Sequence, residues 1–156
     1  MAISKAALLD VIDSTLRAHT EDQQRYDAEV KEWQRKRREK WDAEAVPRLR
    51  SLRDMLTTKL KAGQVVTDRD ISNAIGPDPD GYNRTVSYVT WEPNSKPGYN
   101  QVKPVPHLNV STLNQLKSAL SVIDGETIST STLSQWGFRN LGFLFKSATE
   151  LTKEGN

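Results

Sequence analysis

Two histidines, His19 and His107, are the scarcest reactive side chains in the sequence, and there is no cysteine. Zinc sites take three or four ligands, commonly clustered in pairs, and neither histidine has a second ligand at such spacing. Neither comes with a partner that would make it a general base. The acidic turn Asp78-Pro79-Asp80-Gly81 fails as a calcium loop. Counted from Asp78, the sixth residue is Asn83 rather than glycine and the twelfth is Val89 rather than glutamate. Gly76, Gly81, Gly98 and Gly137 stand alone, so no glycine-rich phosphate loop is present. Ser129, Ser131 and Ser134 lie in a helix-capping stretch without a nucleophile-elbow pattern. No cofactor, no metal and no enzymatic activity are expected.

The richest chemistry lies in Lys31-Glu32-Trp33-Gln34-Arg35-Lys36-Arg37-Arg38-Glu39-Lys40-Trp41. Cations beside aromatic rings suit nucleic acid, and Arg35, Lys36, Arg37 and Arg38 are the candidate phosphate contacts. Opposite charges four residues apart face each other on a helix, as in Asp27–Lys31, Glu32–Lys36, Arg35–Glu39 and Arg38–Asp42. Over residues 21–44 there are 7 basic and 8 acidic side chains. Counterion release needs unopposed charge, so a solvated, internally paired face is the favoured reading of this run. Arg37 lies four residues from both Trp33 and Trp41, and its guanidinium is placed to cover either ring.

A long element must carry these residues. Residues 1–62 hold 14 basic and 11 acidic side chains and no glycine, while all 8 glycines and 6 of the 7 prolines follow residue 62. The spacing predicts a helical arm over 4–62, with Ser4 as its cap, and a small mixed body over 63–156. Ile12, Leu16, His19, Gln23, Tyr26, Val30, Trp33, Arg37 and Lys40 step by four and three along one stripe. Polar residues on that stripe weaken it as a coiled-coil seam and suit setting register or oligomeric state. His19 reads as one of them. Tyr26, Val30, Trp33, Arg37 and Trp41 are the candidate partner-binding residues. Pro47 is costly inside a helix, by about 3 kcal/mol, so a break near Ala45-Val46 and a helical hairpin are favoured over a kinked rod.

Beyond the arm, Thr67 and Asp70 form a capping-box variant, Val66 and Ile71 a hydrophobic staple, and Gly76-Pro77 a stop. Arg84 to Trp91, β-branched and aromatic, predicts a strand, with Gln101 to Val105 as its edge partner in a short hairpin. Asn109 or Ser111 caps a helix with Leu113, Leu116, Leu120 and Ile123. Thr127 to Ser134 supplies another cap. Trp136, Phe138, Leu141, Phe143, Leu144, Phe145 and Ala148 make the most apolar stretch and the expected core.

The fold class is therefore mainly α with a minor β element. Residues 67–76 followed by Arg84–Val89 resemble a helix-turn-helix, which the 49–60 helix and a hairpin after Trp91 would extend to a winged form. The turn is longer than the usual three or four residues, and Arg84 is its one cation placed to read bases. No apolar run reaches membrane length and no leader is visible. The expectation is a cytoplasmic, non-enzymatic binding or assembly protein whose arm contacts a second copy or another protein. A viral or phage accessory protein fits that organisation. The alternative is a DNA-binding regulator dimerised through the arm.

Overall fold

A computed structural model describes residues 1–77 and 85–154. The order is β1 (Ala2–Ser4), α1 (Lys5–Lys61), α2 (Asp68–Ile75), α3 (Thr85–Val89), α4 (Val110–Ser121), β2 (Thr127–Ser129), α5 (Thr130–Gln135), a 3-10 turn at Arg139–Leu141 and α6 (Gly142–Glu154). Among the described residues helix dominates, and the β content is one antiparallel pair. Among the described residues, no helix is long and apolar enough to cross a membrane.

Two compact units divide the chain: residues 1–26 with 104–156, and residues 27–103. The boundary expected between residues 62 and 63 falls inside the second unit. Helix α1 contributes its first 22 residues to one unit and the rest to the other.

In the first unit β1 pairs with β2, Ile3 facing Ile128. Both isoleucines are buried. Each strand is three residues long and runs straight into a helix capped by a serine: Ser4 Oγ accepts from Ala7 N and Ser129 Oγ from Thr132 N. Leu8, Val11 and Ile12 of α1 close over Leu113, Leu116 and Leu120 of α4, which step by three and four. Asn109 caps α4 through Thr112 N, as its sequence position indicates. Phe138, Leu141, Leu144, Phe145 and Ala148 complete this core. Trp136 and Phe143, expected there, are 43% and 53% exposed. Trp136 ends α5 just before Gly137 turns the chain at φ 92°, which takes it off the α6 stripe. Phe143 sits two residues from both Leu141 and Phe145, about 200° around the helix from either.

In the second unit α1 continues unbroken through Pro47, where a break near Ala45-Val46 was expected. Pro47 removes the hydrogen bond to the Ala43 carbonyl, but both residues are exposed and water can meet that group. Trp41, Ala45, Leu49 and Leu52 keep one apolar stripe across the proline and pack with Ile71, Ile75, Tyr88 and Val89. Continuous burial outweighs the local cost. The helix ends in a Schellman motif: Gln64 N donates to Lys59 O, Gly63 N donates to Leu60 O, and Gly63 has φ 65°. Helix α2 has the reciprocal capping box of Thr67 and Asp70 and stops at Gly76, as its residues indicate.

The predicted strand over 84–91 is helical at Thr85–Val89, and the predicted hairpin is absent from the described residues. Tertiary contacts override the β propensity there. Val89 is buried in the small core, and Tyr88 Oη donates to Glu44 Oε2 at 2.6 Å. Gln101 to Val105 is not a strand either; Gln101 N and Val102 N both donate to Gly98 O in a turn that buries Val102. Arg84 and the Asp78–Gly81 turn lie outside the described residues.

Candidate partner-binding site

Three of the five candidate partner-binding residues are committed to the second unit's own packing. Arg37 is held between two indoles, its Cζ 4.5 Å from the Trp33 ring centre and 4.8 Å from that of Trp91. Its Nη2 donates to the Glu92 carbonyl at 3.0 Å, and its buried Nε has no hydrogen-bond partner. One turn back, Gln34 Nε2 donates to the carbonyls of Asn94 at 3.1 Å and Ser95 at 3.4 Å. Residues 91–95 are thus strapped along α1 by a stacked guanidinium and an amide. Helical spacing paired Arg37 with Trp33 or Trp41; the structure gives Trp33 and Trp91, and Trp41 is met by Arg38 at 5.2 Å. Trp41 itself packs on the Ala45–Ile75–Val89 core.

The strap leaves a groove open beside Trp33. It has a volume of about 420 Å³ and is lined by Ala28, Glu29, Glu32, Trp33, Lys36, Gln101 and Val102. The ring and aliphatic stems give it an apolar floor, and Glu29, Glu32 and Lys36 put charges of both signs on its rim. Tyr26 and Val30, the remaining two candidates, are half-buried on α1 and do not line it.

The candidate phosphate contacts of the arm are engaged at close range. Arg35 donates to both oxygens of Glu32, at 2.8 and 2.7 Å, and pairs with Glu39. That hydrogen bond is the main reason the Glu32 carboxyl sits below the usual carboxylate range, and the Arg35 guanidinium is shifted upward in turn. Lys36 lies 3.8 Å from Glu32 and Arg38 3.4 Å from Asp42. Arg37 is stacked.

One convergence was not legible. His19 and His107 line the same pocket of the first unit, about 280 Å³, together with Asp22. Among the described residues no three His, Cys, Asp or Glu side chains are grouped to hold a metal ion.

No protein-family model matches the chain, and neither a curated protein nor a solved structure matches it.

Proposed function

We propose that the protein is a non-enzymatic binding or assembly protein, cytoplasmic in location, in which the helical arm contacts another protein or a second copy of the chain. The observation carrying this reading is the groove beside Trp33. An apolar floor with an aromatic wall and a mixed-charge rim is the pattern of a protein anchor site, where a buried side chain supplies affinity and the rim supplies register. Most of the arm's apolar stripe is already covered by its own chain, so a partner meets α1 at this opening rather than along a zipper seam.

A photo-crosslinking residue placed at Lys36, on the groove's rim, in the full chain tests the reading. The expected result is a discrete protein adduct that disappears when Ala28→Trp fills the groove, with sedimentation velocity separating a second copy from a different partner. Labelling no greater than at the exposed Ser118 would sink the idea. For the winged-helix alternative, the described residues give a helix at Thr85–Val89, where its recognition element would stand, and turns where its wing was expected.

A further inference from the structure

The cations at the arm's C-terminal end have a different environment from those of the Lys31–Trp41 run. Residues 45–62 hold five basic side chains (Arg48, Arg50, Arg53, Lys59 and Lys61) and one acidic, Asp54. Two of the five are used internally. Arg48 donates to the carbonyls of Ile75 and Pro77 and covers Tyr88, and Lys59 lies 3.5 Å from Asp70. The other three, with Thr57, fall at steps of three, four and four, which is one stripe of a helix. All four are exposed. Arg53 bonds its neighbour Asp54, and among the described residues no carboxylate is joined to Arg50 or Lys61. Lys61 complements the C-terminal end of the helix dipole. Arg50 and Arg53 stand two turns or more upstream, where that explanation does not reach.

We infer that this stripe, Arg50, Arg53, Thr57 and Lys61, is a contact surface for the phosphate backbone of nucleic acid. Guanidinium forks match phosphate oxygens bidentately, and a threonine hydroxyl is a common accessory donor to them. A protein partner would want an apolar anchor at the centre of the patch, and this stripe has none; exposed Leu60 lies at its border. Three cations position a backbone without reading bases, so the expected binding is sequence-independent and salt-sensitive. The surface is separate from the groove beside Trp33, and the two proposals stand or fall independently.

Fluorescence anisotropy of the full chain against a labelled 20-base-pair DNA duplex tests it. Each cation contributes about 0.9 to the slope of log affinity against log salt, so three give roughly a forty-fold weakening between about 50 and 200 mM salt. The triple variant Arg50→Gln, Arg53→Gln, Lys61→Gln should lose binding at the lower salt. Lys36→Gln with Arg38→Gln should leave it unchanged. The charge-keeping variant Arg50→Lys, Arg53→Lys should retain the slope, which separates lost charge from lost folding. No binding at low salt overturns the proposal, as does binding that survives the triple change. Equal competition by polyglutamate at matched charge also overturns it, since that would mark a surface for acidic protein.

Discussion

Two stretches of one helix carry nearly the same number of cations and use them in opposite ways. Residues 27–44 have six basic and six acidic side chains, and residues 45–62 have five and one. In the first stretch the cations build structure: Arg35 ties Glu32 to Glu39, Arg37 is stacked between Trp33 and Trp91, and Arg38 reaches Asp42 and Trp41. In the second, Arg50 and Lys61 stand exposed, while Arg48 is woven into the packing and Lys59 reaches Asp70. A dense basic run is therefore a poor guide to a binding surface. What matters is whether each charge already has a partner within hydrogen-bonding or stacking distance.

The largest effect calibrates that comparison from outside it. Phe145 is buried in the first unit's core, and Phe145→Ala should cost about 3–5 kcal/mol in chemical denaturation. A loss below about 1 kcal/mol would place it among surface changes and undo the assigned core. At the junction of the two stretches, Pro47→Ala should stabilise the chain by about 1–3 kcal/mol, because the helix already runs through that position. A destabilised Pro47→Ala variant would mean that the proline sets a bend which the packing needs.

Within the comparison, Arg37→Ala should cost about 2 kcal/mol by removing the stacked cation and its carbonyl hydrogen bond. Arg50→Ala should change stability by less than about 0.5 kcal/mol. Equal costs in thermal or denaturant melts would erase the distinction between the two stretches. The smallest effect is one of pH. Hydrogen bonds from Thr67, its backbone N–H first, hold the Asp70 carboxyl below the usual carboxylate range. Its folded pKa lies below its unfolded one, so its contribution is complete above the ordinary carboxylate range and fades as pH falls through the depressed value. Asp70→Asn should flatten the acid limb of the stability profile slightly. An identical profile would show that the capping box is energetically idle.

Local signals were legible where one turn of backbone settles the matter. Thr67 with Asp70, Asn109 with Thr112 and Gly76 after Ile75 are caps whose partners lie within four residues. The α4 stripe of Leu113, Leu116 and Leu120 was equally readable. Features decided by distant residues were not. Pro47 reads as a break until Ile75 and Val89 are seen covering the stripe on both sides of it. Tyr88 and Val89 read as strand residues until Glu44, Arg48 and Ala45 supply their packing. Strands β1 and β2 are three residues each, too short for alternation to show. At the candidate site, Trp33 and Arg37 were visible as helical neighbours. Trp91, far along the chain in a proline-containing segment, was the missing half of the sandwich.

The central claim is that Arg37 clamps residues 91–95 onto α1 and so keeps the groove beside Trp33 in shape. Hydrogen exchange of the Arg37→Ala variant, read at the amides of Asn94, Gln101 and Val102, addresses it directly. Each of these amides is hydrogen-bonded within the strap or the turn that follows it. Their exchange should accelerate about thirty-fold, the equivalent of a loss of about 2 kcal/mol in local opening, while Leu116 and Leu120 of α4 keep their wild-type protection. Unchanged exchange at all three positions would contradict the account, because the strap would then hold without its clamp.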